Sequence, residues 1–588
     1  MSDYHEMELS RRSIQISDLR EDLQHGLDRI QSAEDRSSQL ERQIGKLKAC
    51  WAWSEMRRMA SGHLNPSLPM ARLLLQQGHQ VHYLCREPMR EAIEACGASY
   101  SSAVEEETEL YESREEDFFG CMETLKAEYG LQEEPMMYAM MKLMAIQMEL
   151  QLPGLMRWLQ KIRADAVVYC PLASVEAAYA AEILELPSVG LLTTAGPGSM
   201  VKAMDEFLRM MGASLEGALA EIEAFQPVKE CVARMEARWG IHMDLTESLR
   251  SMGFMRPFAM SDVTLVTTCE ELQDPLAAEL EEKYRAEGAR FVAVGPLLDQ
   301  SGATRAAGHK LKTQRSTESQ GSQSEQSEAS QELLETVRSA KAAGRQVIFA
   351  SMGTVITGDS PDFGWEAKIQ NTSGQRKGLT GKELCQAAWS GFFDAFGASE
   401  ALLVVSVGPQ PDALEGLEVP SNALCRPSVP QVDLLHAGVD LFLTHGGQNS
   451  FTESLSAGVP VVVCPGFGDQ PVNAEKAAEL GVGLQVPRPF PDAGEASAVA
   501  AYRAEVRQAL LRVATEPSFA ERSGYFAKAL RAGGVPRAVQ LTLQAVEDAK
   551  DAKAKANKAK AKLPALLGNT QPAKELKHVP VQPGLLGA

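Results

Sequence analysis

The sequence predicts an α/β protein built from two parallel-sheet units, and three observations carry that reading. Short apolar, β-rich runs alternate with helix-length stretches, the pattern of strands buried on both faces between crossover helices. A segment at 300–331, "QSGATRAAGHKLKTQRSTESQGSQSEQSEASQ", holds almost no large apolar side chains and divides the alternation in two. The length, 588 residues, also exceeds what one hydrophobic core organises.

Taken in chain order, residues 1–50 form a separate helical extension. Ile16, Leu19, Leu23, Ile30, Ala33, Leu40, Ile44 and Leu47 alternate three-and-four spacings, a heptad seam interrupted by Gly26 and Ser37. Such a helix serves either self-association as a coiled coil or docking onto the body. Residues 61–297 are the first α/β unit, with strands expected at "HQVHYL" (79–84), "DAVVY" (165–169), "PSVGLLTT" (187–194) and "RFVAVG" (290–295). After the linker at 300–331, expected to be disordered, residues 332–545 form the second unit. Its strands are expected at "QVIFAS" (346–351), "ALLVVSV" (401–407), "DLFLT" (440–444) and "VPVVVCP" (459–465), with 357–381 as an inserted loop. The Lys/Ala-rich tail, 549–588, reads as a solvated, transiently helical run.

A net charge of −20 argues against nucleic acid or an anionic membrane as the main partner. Any bound phosphate is then held by main-chain N–H groups rather than by a lysine cluster. The ten cysteines include no CxxC pair, which favours reduced thiols in a cytoplasmic setting. No apolar run approaches the ~18 residues of a membrane-spanning helix.

The chemistry concentrates in "FLTHGGQNSFTES" (442–454), where a strand stops at a histidine and two glycines and a helix begins at once. Gly446 and Gly447 leave the turn without side chains, so an anion can reach free amides at the positive end of the helix. His445, Asn449 and Ser450 add donors, and Glu453 lies one turn further on the same face, suited to the paired hydroxyls of a ribose. The next strand delivers Asp469 and Gln470 at its carboxyl end, an acid and an amide able to meet adjacent sugar hydroxyls. Upstream, "ASMGT" supplies Ser351, Gly353 and Thr354 to the same sheet edge. Each feature alone is weak, because a glycine turn before a helix is usually only a turn. Their coincidence in one sheet is not.

These residues carry a resemblance. "VPQVDLLHAGVDLFLTHGGQNSFTESLSAGVPVVVCPGFGDQPVNAEKAAELGVG" (429–483) resembles the donor-binding signature of UDP-dependent glycosyltransferases, in the style of the macrolide branch. "GHLNPSLPMARLLLQQGHQVHYL" (62–84) is similar to the opening of that family's acceptor domain, and "FVAVGPLL" (291–298) to the strand before its interdomain linker. The resemblance spans roughly 61–545. It implies the GT-B fold, two Rossmann-like domains facing a cleft. It also implies inverting transfer without metal or other cofactor, from a UDP-sugar co-substrate to a hydroxyl acceptor.

Carried onto matching positions, the family's roles make His63 the general base, since imidazole titrates near neutrality. They put the diphosphate on His445, Asn449 and Ser450, the ribose on Glu453, the sugar on Asp469 and Gln470, and the uracil against Gln431. Gln470 points to glucose, hence UDP-glucose.

Three departures accompany the match. Cys170 stands where the family places the carboxylate that orients the base, and a thiol of ordinary pKa ~8.5 is a poor partner for imidazolium. Asp165 lies five strand residues away, roughly 16 Å at ~3.3 Å per residue, and Glu176 is a stand-in that nothing in the sequence aims at His63. Before His63, "KLKACWAWSEMRRMASGHLN" reads as charged and helix-like where an apolar first strand is expected. Ser428 replaces the aromatic ring that stacks on the base. The methionine-rich helix at 134–156 reads as core or, less often, as an adaptable lining for a small lipophilic acceptor. His79 and His82 read as structural.

Two alternatives stand beside an active transferase. One is a catalytically impaired relative that binds nucleotide sugar without efficient transfer. The other is a different GT-B enzyme, such as an N-acetylglucosaminyltransferase or an epimerase, which the Asp469–Gln470 spacing disfavours.

Overall fold

The computed structural model describes residues 50–54, 61–244, 246–251, 253–306, 323–490 and 495–566. The heptad segment therefore lies outside the described residues, apart from Cys50.

The first lobe is a seven-stranded parallel sheet. Its strands are β1 (Cys50–Ser54), β2 (Gln80–Cys85), β3 (Ser99–Ser102), β4 (Ala166–Tyr169), β5 (Ser188–Leu192), β6 (Val263–Val266) and β7 (Phe291–Ala293). They lie in the order β3-β2-β1-β4-β5-β6-β7, so the winding reverses between β1 and β4. The first strand is therefore present, against the sequence expectation. It is the five-residue "CWAWS", held between β2 and β4, with Trp51 fully buried. Charged flanks had hidden it; the buried Trp51 supplies much of the apolar area a central strand needs.

The second lobe is a six-stranded parallel sheet of β8 (Val347–Ser351), β11 (Leu402–Ser406), β12 (Ala423–Arg426), β13 (Leu441–Thr444), β14 (Val461–Val463) and β15 (Gly483–Gln485). Its order is β12-β11-β8-β13-β14-β15, and the winding reverses between β8 and β13. The insertion at 357–381 contains a small antiparallel hairpin, β9 (Ile369–Gln370) and β10 (Arg376–Lys377).

Two boundaries differ from the sequence expectation. The second lobe begins with a helix, Gln323–Ala342, which overruns the expected linker; Leu333, Leu334, Val337 and Ala340 pack under β8 and β13. The last helix, Val535–Leu566, returns to the first lobe. Its Ala538, Val539, Leu543, Ala545 and Val546 enter the core beneath β5 and β6, beside the helix Ser67–Gln76. Amphipathic spacing reveals that such a helix has an apolar face but not which lobe receives it. The first part of the Lys/Ala-rich tail continues this helix, where Lys550 pairs with Asp165 and Lys553 with Glu185.

Open parallel sheets bind ligands outside the carboxyl ends of their strands, where the winding reverses. Each lobe has one such point, and the predicted site residues gather at both.

Candidate active site

In the first lobe, β1 is followed by the short helix Ser61–Leu64, which carries His63. Across the reversal, β4 ends at Cys170 and β5 ends at Thr193. Nδ1 of His63 lies 3.2 Å from the Cys170 sulfur and 2.9 Å from the Thr193 hydroxyl, and both groups are buried. Nδ1 is thus engaged by two buried groups at the ends of neighbouring strands. Thr193 went unnoticed in the sequence because it closes an apolar strand; its only signal is a hydroxyl at the strand's carboxyl end. Asp165 sits at the far end of β4, where its carboxylate accepts from the Cys50 N–H (2.8 Å) and pairs with Lys550 (3.2 Å). Glu176 is buried on the helix Val175–Ile183.

In the second lobe, β8 delivers Ser351 and Gly353, and β13 delivers His445, Gly446 and Gly447 ahead of the helix Gln448–Ala457. Gly353 has φ +75°, and a Cβ there would stand 2.5 Å from Nε2 of His445. Gly446 has φ +82°, and its Cβ would strike Val463. Both positions therefore require glycine. Nδ1 of His445 is buried without a hydrogen-bond partner among the described residues. Burial draws this imidazole down to about 4, the Ser351 main chain opposing. At neutral pH the ring is therefore uncharged. Thr354, the next residue after Gly353, is exposed.

The helix start is organised by its neighbours. Asp469 accepts the Gln448 N–H at 2.9 Å, and Asn473 donates to the Gly446 carbonyl at 2.8 Å. The first intrahelical bond runs from the Phe451 N–H to the Gly447 carbonyl (3.0 Å), so the Asn449 and Ser450 amides stay outside the helix ladder. Burial pushes the Asp469 carboxyl up, opposed first by the Gln448 N–H and more weakly by His63. Gln470 accepts from the Gly466 N–H at 2.8 Å, which shapes the loop before it.

Two placements differ from the expected roles. The Asn449 amide crosses the cleft and donates to the Gly62 carbonyl at 2.5 Å, joining the anion turn to the loop of the base. Gln431, expected at the uracil, instead donates to Glu453 (2.7 Å) and Ser450 (3.1 Å), at the corner assigned to ribose. Its helix, Gln431–Gly438, packs beside Gln448–Ala457, which brings that amide within reach of the carboxylate. Glu453 is 3% exposed and also accepts from Arg305 at 2.6 Å, a contact that the polar linker gave no reason to expect. Ser428 is exposed.

The methionine-rich segment forms the helix Met136–Ile162. Met136, Met140 and Met148 are core, while half-buried Met137 and Met141 pack toward Phe363 and Phe467 of the other lobe. Phe363, on the 357–381 insertion, stacks on Phe467 with ring centres 4.2 Å apart, two residues before Asp469. Asp362 accepts from the Met137 N–H at 2.8 Å. A Met/Phe wall thus stands beside the loop that carries Asp469 and Gln470. Behind it, Lys476 of the second lobe is buried against Asp274 of the first (2.8 Å) and the Leu272 carbonyl (2.8 Å). Among the described residues no helix is long and apolar enough to cross a membrane.

Comparison with known proteins agrees with this geometry. Residues 406–490 match the family described as "UDP-glucoronosyl and UDP-glucosyl transferase". The chain is 40% identical over 107 residues to the NDP-glycosyltransferase YjiC of Bacillus subtilis (strain 168), a match spanning 17% of the chain and 26% of that relative. It is 24% identical over 492 residues to the uncharacterized UDP-glucosyltransferase YojK of the same organism, across 83% of the chain and 95% of the relative. Among solved structures, the calicheamicin glycosyltransferase CalG4 superposes with TM-score 0.55 at 17% identity, covering 85% of this chain and 98% of that one. The glycosyltransferase of kitacinnamycin gives 0.52 at 22% identity, covering 84% and 99%. Two parallel sheets of this order share the GT-B fold of those glycosyltransferase structures, and residues 406–490 on the second carry the family's signature.

Proposed function

We propose that this protein transfers a hexosyl group, glucose by expectation, from a UDP-sugar to a hydroxyl of a small lipophilic acceptor, with inversion and without a metal. The observation that carries this reading is the opposition of His63 and the 445–450 turn, joined across the cleft by Asn449 and the Gly62 carbonyl. A base and an anion site held face to face suit displacement at a carbon between them.

In this reading His63 removes the acceptor proton through Nε2, while Thr193 and Cys170 hold the other nitrogen. The departing diphosphate gathers charge at the Asn449 and Ser450 amides, and His445 offers a neutral N–H there. Glu453, with Gln431, receives the ribose, and Asp469 and Gln470 face the sugar. The Met/Phe wall gives an apolar acceptor a surface beside the anomeric carbon. The cysteines are unbridged, and all but Cys425 are buried, which fits a cytoplasmic setting.

The test is UDP release from UDP-glucose with phenolic, sterol and macrolide acceptors, run beside calorimetric UDP binding. Acceptor-dependent release supports the proposal. UDP binding with no release from any acceptor would instead favour the impaired relative, with Cys170 as the cause.

A further inference from the structure

The segment after β7 crosses between the lobes and touches both. Asp299 pairs with Arg72 of the first lobe at 3.1 Å, and the Gly302 N–H donates to Asp433 of the second at 3.0 Å. Arg305 then reaches Glu453 at 2.6 Å. Ala306 closes the strap on the first lobe by a reciprocal pair with Asn65, two residues from His63: its N–H donates at 2.8 Å and its carbonyl accepts at 3.2 Å.

Glu453 is a carboxylate withdrawn from water, which is costly unless it is paired and hydrogen-bonded. Arg305 takes Oε1 and Gln431 takes Oε2, so the plane of the carboxylate is fixed from both sides. Each oxygen keeps a second acceptor direction. Two adjacent hydroxyls, each donating one proton, match what remains.

We propose that Arg305 is a positioning residue of the nucleotide site: it orients Glu453 for the 2′- and 3′-hydroxyls of a ribonucleoside diphosphate. This rests on the donor-site reading given above. The strap also makes the ribose corner and the base loop one connected unit, since a single residue separates neither Arg305 from Glu453 nor Ala306 from Asn65.

The experiment is calorimetry on the full chain with UDP and 2′-deoxy-UDP, for wild type, Arg305→Ala, Arg305→Lys, Glu453→Ala and the double variant. Wild type is expected to favour UDP over its deoxy analogue by about tenfold, the worth of one hydrogen bond to a charged acceptor. Arg305→Ala should weaken UDP about tenfold and flatten that preference, with Arg305→Lys recovering part, since it restores charge without the planar fork. The double variant should bind UDP no worse than Glu453→Ala. Unchanged affinity and preference in Arg305→Ala, or losses that simply add, would overturn the proposal. Tighter UDP binding in Arg305→Ala would also overturn it, by making the guanidinium a competitor for the carboxylate. A wild-type chain that binds neither nucleotide would sink the donor-site reading itself, a separate result.

Discussion

The Thr193 hydroxyl lies 2.9 Å from Nδ1 of His63, nearer than the Cys170 sulfur at 3.2 Å. A neutral oxygen thus does part of the orienting work that the family assigns to a carboxylate. An oxygen can fix the Nδ1–H tautomer by accepting its hydrogen bond, but it stabilises imidazolium far less than an anion does. Thr193→Val should lower kcat about tenfold, the worth of one neutral hydrogen bond, and Thr193→Ser should restore it. Cys170→Asp should raise kcat and move the acid limb of its pH profile upward by about one unit. An unmoved profile in Cys170→Asp would show that the thiol does not stand in the carboxylate's place.

In the proposed reaction His63 acts on the acceptor from the first lobe, while the diphosphate is held by the second. His63→Ala should therefore reduce turnover by ~10²–10⁴, the usual worth of a positioned base. UDP affinity measured by calorimetry should stay within about twofold of wild type, because Gly62 keeps its carbonyl. Retained turnover would remove His63 from the role of base.

The pair Lys476–Asp274 joins the lobes in a place with little water, where burial lowers the lysine's pKa and Asp274 opposes the shift. Removing one partner leaves the other charge buried alone, a loss of about 3–5 kcal/mol. Lys476→Ala should lower the thermal midpoint accordingly, and Lys476→Ala with Asp274→Ala should recover much of it. Additive losses in the double variant would mean the two do not act as a pair.

His445 is held near 4 against an ordinary 6.5, so between those values the folded chain binds fewer protons there than the unfolded chain. Its contribution to stability is fully present above about 6.5 and is lost as the pH falls toward 4. Denaturant unfolding of wild type should weaken across that window with a slope reflecting about one proton from this ring, and His445→Asn should flatten that component. Equal slopes would place the ring in contact with water.

Much of this was legible in the chain itself, and the failures have physical causes. Strands such as 346–351 and 440–444 announced themselves because central parallel strands are apolar on both faces. The edge strands β3 ("SYSS") and β15 ("GLQ") need less apolar area, so periodicity could not separate them from loops. The anion turn was readable from Gly446, Gly447 and Asn449, since local chain geometry dictates it. Thr193 and Arg305 were not, because each acts on a partner more than a hundred residues away and neither leaves a local pattern.

The return of the helix Val535–Leu566 to the first lobe has a consequence for synthesis. Gly534 donates its N–H to the Val294 carbonyl at the crossing, and the helix beyond it completes the core under β5 and β6. The sheet of the first lobe therefore waits, partly uncovered, until residues 538–546 have left the ribosome. Neither half is a self-sufficient fragment: a cut anywhere before 535 would leave the N-terminal portion with an open, aggregation-prone underside.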